Sequence, residues 1–337
     1  MNAPLHPRQA LFGHEPPRAP LPVVDHYCGV EARMKKSLAL QAELGPVFDI
    51  TLDAEDGAPV GGEAEHALLI AELATSTVNR FGRVGARVHP WGHAAFEADV
   101  DTLIARAGDR LAYLMIPKPE SADDVDRAVA AIDAACERHG KPKLPLQVLI
   151  ETHGALREVF RIAAHPRIES LSFGLMDFVS AHGGAIPKTA MELPGQFEHP
   201  LVVRAKLEIA AAAHAFGKTP SHCVVTEFRD AERLAHAARR AARDFGYTRM
   251  WSIHPDQIRP IVEAFAPATE EVLEAAELLL AAQAADWAPI SFHDRLHDRA
   301  SYRYFWTVLE RAERTGRPLT DAARSAFFPV AIGVIAE

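Results

Sequence analysis

The sequence predicts a single (β/α)8 barrel with a C-terminal helical extension. Short apolar segments rich in β-forming residues alternate with longer Ala-rich helical stretches, which is the pattern of repeated βα units around a parallel sheet. The polar residues that follow successive segments are mostly roughly 26 to 34 residues apart, close to the ~31 expected when about 250 residues form eight units. The chain has 337 residues, of which 48% are hydrophobic, enough for one large barrel core.

Eight candidate strands account for the barrel. Seven are apolar runs that lead into charged or polar residues, and the remaining strand is expected near residues 23–27. In chain order the seven runs cover residues 48–52, 83–86, 111–116, 146–150, 168–174, 223–226 and 250–253. The interval between the runs 168–174 and 223–226 is longer than the others, because a Gly- and Pro-rich loop at 183–200 precedes the helical stretch 201–216. A loop of this length is a candidate lid over an active site.

The chain is expected to have three parts. Residues 1–22 hold six prolines among polar residues, a composition that predicts a flexible arm, free or laid on a neighbour. Residues 23–265 form the barrel. Residues 266–337 begin with a helix that runs to about residue 285, and its acidic start suits the positive end of the helix dipole. The aromatic residues of this extension predict that it packs on the barrel or on a neighbouring subunit.

Composition excludes several classes of function. A formal net charge of -9 and a pI near 6.0 argue against nucleic-acid binding, which needs clustered Lys and Arg, so small molecules are the expected partners. Cys28, Cys136 and Cys223 are too far apart to indicate a disulfide framework or a zinc knuckle. No apolar stretch reaches the roughly 18 residues of a membrane span. The protein is therefore expected to be cytoplasmic.

Charged residues at the strand ends are expected to converge on one rim. The carboxyl ends of all barrel strands meet at the same face, where catalytic groups of such barrels lie. A solvated loop residue is the ordinary explanation for any one of these charges, but several in succession favour a site. The residues concerned are Glu55, Asp56, Arg87, Lys118, Glu151, Asp177 and His254.

Glu151 and Asp177 end consecutive predicted strands and are the candidate metal ligands. Two neighbouring carboxylates that leave room for water and substrate oxygens suit Mg²⁺. A zinc site would need His or Cys neighbours at tighter spacing. From spacing alone, an acid/base pair or structural salt-bridge partners remain alternatives.

Arg87 and Lys118 are the candidate cationic groups. A guanidinium at the end of a strand can bind a carboxylate or thioester oxygen through two parallel hydrogen bonds. The alternative for Arg87 is a salt bridge to Glu55 or Asp56. For Lys118 an electrostatic role is favoured over a Schiff base, which would need desolvation of the amine.

Two pairs of histidines were considered as further site residues. His89 and His93 are separated by a proline and a glycine, so a helical pair of metal ligands is not expected. His153 and His182 follow the proposed metal ligands and either support them or are ordinary surface or capping residues.

Six short motifs resemble, in order, those of the citrate lyase beta-subunit and malyl-CoA lyase family, within the HpcH/HpaI aldolase superfamily. The resemblance covers about residues 45–300. It departs from the family pattern at His89, where Asn is common, and in the residues after Glu151-Thr152. The motifs are Asp53-Ala54-Glu55-Asp56-Gly57-Ala58, Arg87-Val88-His89, Pro117-Lys118-Pro119-Glu120-Ser121, Glu151-Thr152, Gly174-Leu175-Met176-Asp177 and Ile253-His254-Pro255-Asp256-Gln257-Ile258.

The resemblance implies site roles and an assembly. In the family the residues matching Glu151 and Asp177 bind Mg²⁺, the residue matching Arg87 binds substrate, and the proteins form trimers or hexamers. The segment around Asp298 resembles a family segment whose aspartate enters the adjacent subunit's active site, which makes Asp298 the candidate catalytic base. Asp294, or a solvated role for Asp298, is the alternative.

The function implied is that of a Mg²⁺-dependent carbon–carbon lyase. It would cleave or form a β-hydroxy acyl thioester such as citryl-CoA or malyl-CoA, giving a keto or aldehyde acid and an acyl thioester. Glu55, Asp56, Lys118 and His254 would join Arg87 in binding the substrate. The alternatives are an aldolase acting on free pyruvate-type acids, an acyl-CoA thioesterase and a binding or assembly subunit without turnover. Coenzyme A, an acyl carrier and a free acid all remain open as the substrate handle.

Overall fold

The computed structural model describes residues 4–13 and 21–329, which form two compact units. One unit holds residues 21–265. The other combines the helix α1 (Pro7–Phe12) with residues 266–329. Within these ranges no helix is long and apolar enough to cross a membrane.

The first unit is a closed barrel of eight parallel strands in sequential order, so the predicted fold class is confirmed. The first strand pairs with both the second and the eighth, which closes the sheet. The strands are β1 Val24–Cys28, β2 Phe48–Asp53, β3 Val84–Arg87, β4 Leu114–Ile116, β5 Leu146–Ile150, β6 Ile168–Phe173, β7 Thr219–His222 and β8 Arg249–Ser252.

Helices follow the strands as expected of βα units. Two short 3-10 helices, Lys188–Met191 and Gly195–Phe197, lie in the loop predicted as a lid, and a third, Pro255–Gln257, follows β8. The α-helices are α2 Glu31–Leu44, α3 Glu63–Thr75, α4 Phe96–Ala107, α5 Ala122–Arg138, α6 His153–Arg157, α7 Val159–Ala164, α8 Leu175–Ser180, α9 Pro200–Ala215, α10 Ala231–Arg243 and α11 Ile258–Phe265.

The helix α5 shows why these segments are helical. The Ser121 side chain accepts a hydrogen bond from the backbone N–H of Asp124 and so caps the first turn. Val125, Ala128 and Ile132 recur at helical spacing and are fully buried in the layer between helices and sheet. The apolar stripe therefore fixes which face of the helix packs on the barrel.

The seventh strand was predicted at the wrong place. The apolar run 223–226 suggested a strand, but β7 covers Thr219–His222 and pairs with β6 and β8 there. Its sequence, Thr-Pro-Ser-His, carries few β-forming side chains. Pairing on both sides therefore outweighs local propensity in this strand.

The loop at 183–200 is attached to the barrel at two points. The backbone N–H of Leu193 donates to Glu227 Oε1 at 2.8 Å. The buried Lys206 amine donates to Gln196 Oε1 at 3.1 Å, and burial lowers the pKa of Lys206 to about 8. The loop is thus anchored at its later half, which lies close to the strand ends.

A buried ion-pair network lies inside the barrel. The Arg249 guanidinium donates to Asp49 Oδ2 at 2.6 Å and lies 3.3 Å from Asp25 Oδ2. The Thr51 hydroxyl and the Tyr113 phenol both donate to the other oxygen of Asp25. All five side chains are buried. Since Asp25 lies on β1, Asp49 and Thr51 on β2 and Arg249 on β8, this network links the strands at the closing seam of the barrel, and Tyr113 joins it from just before β4.

The second unit has its own apolar core. Leu11 of α1 is buried in this core, and its carbonyl accepts a hydrogen bond from Arg303 Nε at 2.9 Å. This helix lies within the segment expected to be a flexible arm. The predicted helix after residue 266 is confirmed as α12, whereas a hairpin of β9 and β10 was not predicted. The elements are α12 Thr269–Ala284, β9 Ile290–Phe292, β10 Arg295–His297, α13 Arg299–Arg314 and α14 Asp321–Phe327.

The buried network predicts a large loss of stability when its cation is removed. Replacing Arg249 with Met should lower the free energy of unfolding by about 3 to 5 kcal/mol, because two buried carboxyls lose their guanidinium partner. Urea denaturation measures the loss. Arg243→Met on the exposed face of α10 is the control, expected to change stability by less than about 0.5 kcal/mol. A loss below about 1 kcal/mol for Arg249→Met would contradict this account of the network.

Candidate functional site

Five of the predicted rim residues meet through direct ion pairs. The Lys118 ammonium lies 2.6 Å from Glu55 Oε1, 2.7 Å from Asp56 Oδ2 and 3.6 Å from Asp177 Oδ1. The Arg87 guanidinium contacts the other Glu55 oxygen at 3.0 Å. Because these residues follow β2, β3, β4 and β6, barrel closure brings together side chains that are distant in sequence.

Glu151 follows β5 directly and is almost completely buried, with 2% of its surface exposed. One of its oxygens accepts the backbone N–H of Lys118 at 3.0 Å. Burial raises the pKa of Glu151 to about 8. The charges of Asp177 and Glu55 add to this rise, while Arg87 opposes it. In the free protein this carboxyl therefore holds a proton at neutral pH for a large part of the time.

Gly174 makes room for the Glu151 carboxyl. A Cβ atom at position 174 would lie 2.1 Å from Glu151 Oε2, too close for any side chain. Three residues later, Asp177 lies in the first turn of α8 with 41% of its side chain exposed. The motif from Gly174 to Asp177 thus leaves space for the Glu151 carboxyl and supplies the Asp177 carboxyl.

Arg87 is held by two residues that sequence reasoning missed. Its Nε and Nη2 atoms donate to the two oxygens of Asp53 at 2.6 and 2.9 Å, and Nη2 also donates to the Tyr27 hydroxyl at 2.8 Å. Burial would raise the pKa of Asp53, but Arg87 and the Tyr27 hydrogen bond hold it below its usual value. One edge of the guanidinium is therefore occupied, and Nη1 faces Glu55. The salt bridge to Glu55 that was considered as an alternative is present.

An apolar layer supports these charged groups from the barrel interior. Met115, Leu149 and Trp251 form a buried cluster, and the Tyr27 ring stacks on Trp251 with centroids 5.4 Å apart. The Trp251 Nε1–H donates to Ser172 Oγ at 3.2 Å. Alternation along β1 and β8 is the signal that would have identified Tyr27 and Trp251 as interior residues.

The charges at this rim do not balance, which bears on a metal. Five carboxyl groups face two cationic side chains, and the buried Glu151 has no hydrogen bond from either cation. Such an excess of carboxyl oxygens fits a divalent cation. No group of three or more His, Cys, Asp or Glu in the described part of the chain forms a metal site, so water and substrate oxygens would supply the other ligands. We define the rim cluster as Asp53, Glu55, Asp56, Arg87, Lys118, Glu151 and Asp177.

His254 and Asp298 each cap a helix within their own unit. His254 caps the short helix after β8, and its ring stacks on Phe228 with centroids 4.7 Å apart. Asp298 belongs to the second unit, where its side chain accepts the backbone N–H groups of Ala300 and Ser301 and so caps α13. The alternative residue Asp294 lies in the turn between β9 and β10.

The four histidines His89, His93, His153 and His182, candidates for further site residues, form two ring pairs. The Nδ1–H group of His89 donates to Asp99 Oδ2 at 2.6 Å, and the His89 ring stacks on His93 with centroids 4.3 Å apart. His153 and His182 have ring centroids 4.4 Å apart, and His153 Nε2 lies 3.2 Å from the Ala181 carbonyl oxygen. This second pair connects α6 with the end of α8, the two segments that follow Glu151 and Asp177.

Comparison with known proteins identifies a family and relatives to which this chain is similar. Residues 48–255 match the model of the family described as HpcH/HpaI aldolase/citrate lyase. The L-malyl-CoA/beta-methylmalyl-CoA lyase of Cereibacter sphaeroides is 33% identical over 282 residues, covering 78% of this chain and 87% of that protein. A (3S)-malyl-CoA thioesterase of the same organism is 29% identical over 245 residues, covering 70% and 76%.

Solved structures agree with this assignment. The crystal structure of a citrate lyase from Burkholderia xenovorans LB400 is 56% identical, with a TM-score of 0.83 and coverage of 96% of this chain and 99% of that chain. The CitE protein of Mycobacterium tuberculosis, solved with magnesium, acetoacetate and coenzyme A, shares the fold at 22% identity and a TM-score of 0.67, covering 88% and 100%. The predicted resemblance is therefore confirmed, and the chain is a lyase that belongs to the HpcH/HpaI aldolase/citrate lyase family.

Proposed function

We propose that the protein is a Mg²⁺-dependent carbon–carbon lyase acting on a β-hydroxy acyl thioester. The observation that carries this proposal is the buried Glu151 carboxyl beside Asp177, in a rim with more carboxyls than cations. The relatives named malyl-CoA lyase support the thioester substrate, with coenzyme A as its carrier.

Glu151 and Asp177 are the residues that would hold Mg²⁺. Glu151 fits a metal ion because it is buried and accepts no hydrogen bond from a cationic side chain. Asp177 fits because it is close enough to raise the pKa of Glu151. When bound, Mg²⁺ would polarise the carboxylate and hydroxyl oxygens of the acid portion of the substrate. The related CitE fold was solved with magnesium and a keto acid, which supports this choice of metal.

The other residues of the rim cluster would bind and orient the substrate. Asp53 and Tyr27 fix the plane of the Arg87 guanidinium, so its Nη1 atom can exchange Glu55 for a substrate oxygen without reorienting. Cleavage moves the electron pair of the carbon–carbon bond onto the thioester carbonyl oxygen. A positioned cation at that oxygen contributes on the order of 3 kcal/mol. Lys118, Glu55 and Asp56, with His254 at the end of β8, would complete the binding surface.

Asp298 is the proposed base that accepts the hydroxyl proton, supplied by a neighbouring subunit of a cytoplasmic trimer or hexamer. As the N-cap of α13 its carboxyl has a fixed direction, which a base needs for proton transfer. Activity would then depend on assembly of the subunits.

Thioester hydrolysis is the second candidate function, supported by the thioesterase relative. The two reactions release different products. Purified protein with Mg²⁺ should be tested with malyl, methylmalyl and citryl thioesters and with free hydroxy-keto acids. Release of a keto or aldehyde acid with an intact acyl thioester supports the lyase, whereas release of a free thiol supports hydrolysis. Turnover of free acids alone would indicate an aldolase, and no turnover with any of them a binding subunit.

Loss of either proposed ligand should abolish metal binding while the fold persists. Glu151→Gln and Asp177→Asn are each expected to lower Mg²⁺ affinity by at least about 100-fold, because each removes a charged oxygen ligand. Calorimetric titration with Mg²⁺ in the presence of a bound keto acid measures this. Asp133→Asn, which weakens a half-buried ion pair with Arg167 away from the rim cluster, is the matched control. Unchanged Mg²⁺ affinity in both site variants would refute the assignment.

The raised pKa of Glu151 gives a second readout in metal-free protein. In the folded chain burial raises the pKa of this carboxyl to about 8, whereas its ordinary value is 4.5. The free energy of unfolding should therefore fall as pH rises from 4.5 to 8, because the folded state is the one that keeps the proton. Glu151→Gln should remove this part of the pH dependence, as measured by denaturation in EDTA. An unaltered slope would show that Glu151 is ionised throughout.

Arg87→Lys should be nearly as inactive as Arg87→Ala. An ammonium cannot form the parallel hydrogen bonds to Asp53 while also reaching a substrate oxygen. We expect kcat to fall on the order of 100-fold in both variants, with melting temperatures recorded to separate catalysis from folding. Full turnover by the lysine variant would leave Arg87 with only a structural role.

Subunit mixing tests the proposed base. Asp298→Asn and Glu151→Gln should each be inactive alone, but exchange of subunits should restore activity, since some sites then combine an intact metal ligand with an intact base. The measurement is turnover before and after exchange at constant total protein. Normal activity of Asp298→Asn on its own would rule out this residue as the base.

A further inference from the structure

We propose that Lys118 is a resident counter-cation of the rim cluster, which keeps the affinity of the substrate-free enzyme for divalent cations low. Its ammonium neutralises carboxyls that would otherwise attract the metal. This inference rests on the proposed function, in which Glu151 and Asp177 hold that metal.

Lys118 contacts both proposed ligands through different atoms. Its backbone N–H donates to Glu151 Oε1 at 3.0 Å, while its ammonium lies 3.6 Å from Asp177 Oδ1. The same ammonium has closer contacts with Glu55 and Asp56, at 2.6 and 2.7 Å. One residue therefore connects four of the five carboxyls in the rim cluster.

The backbone of Lys118 is fixed in a conformation that lysine rarely adopts. Its φ angle is +48°, and it stands between Pro117 and Pro119. The carbonyl of Pro119 is held by the Thr152 hydroxyl at 2.5 Å, next to Glu151. Positive φ in a residue other than glycine persists only where surrounding contacts hold it. Here those contacts direct the N–H at Glu151 and the side chain at the other carboxyls.

The ammonium keeps its charge in this position. Its side chain is 25% exposed. Its hydrogen bonds to Glu55 and Asp56, at 2.6 and 2.7 Å, favour the charged form of the amine. A positive charge this close to Asp177 repels a second cation at the same carboxylate. Repulsion between the Lys118 ammonium and a divalent cation across a partly exposed rim corresponds to about a tenfold change in the affinity for that cation.

A lysine that only binds substrate would behave differently. Removing it would weaken substrate binding but leave the metal affinity of the substrate-free protein unchanged. Removing a counter-cation leaves five carboxyls with Arg87 as the remaining cation of the rim cluster. The substrate-free protein should then bind divalent cations more tightly.

The test is calorimetric titration of Mg²⁺ into the full-length, metal-free and substrate-free protein. Lys118→Met is expected to bind Mg²⁺ about tenfold more tightly than wild type, and Lys118→Arg to stay within about threefold of it because it keeps the charge. The control is Lys143→Met, since Lys143 also bridges two carboxyls, Asp133 and Glu137, at an exposed site. Its Mg²⁺ affinity should equal that of wild type.

Equal or weaker Mg²⁺ binding by Lys118→Met overturns the inference. If this variant does not fold, as judged by circular dichroism, Lys118→Gln replaces it with the same expectation. The double variant Lys118→Met/Glu151→Gln should lose the gain, because the tighter site uses Glu151. Absence of Mg²⁺ binding by wild type in the presence of a bound keto acid would instead refute the proposed metal site itself, so the two failures are distinguishable.

Discussion

Repulsion between carboxyl groups is the constraint on which the rim depends. Closure of the barrel places five of them around the ends of β2, β5 and β6, and two cations, Arg87 and Lys118, hold them together. Arg87 contacts Asp53 and Glu55 at the end of β2, and Lys118 connects that segment with Asp177 after β6. Glu151 has neither cationic side chain as a hydrogen-bond donor, and burial, with the charges of Asp177 and Glu55 adding to it, raises its pKa. The barrel fold brings together more carboxyl groups than cationic side chains, and this excess suits the rim to a divalent cation.

Much of the fold could be predicted from the sequence because parallel strands buried on both faces are apolar along their length. The strand β5 was predicted with the bounds it has. The strand β7 was not, since Thr219-Pro220-Ser221-His222 has no apolar run and depends on its neighbours for pairing. The hairpin before α13 was missed because its turn residues, His293 and Asp294, adopt positive φ without the usual glycine.

The site was predictable where its residues end strands and less so where they lie inside the barrel. Spacing alone brought Glu151, Asp177 and Lys118 to one rim. It could not reveal that Asp53, the last residue of β2, occupies one edge of Arg87, because that contact depends on side-chain direction across two strands. His254 follows β8, as a rim residue would, but its side chain caps the short helix Pro255–Gln257. Its place in the sequence could not reveal this direction of the side chain.

The close approach of Gly174 to Glu151 has a consequence for how related sequences diverge. A methyl group at this position would collide with the carboxyl, so the glycine and the buried glutamate can change only together or in a fixed order. A lineage that acquires a larger residue there must already have lost the glutamate or moved its backbone. A residue larger than glycine at this position would therefore mark a sequence in which this carboxyl no longer has its place.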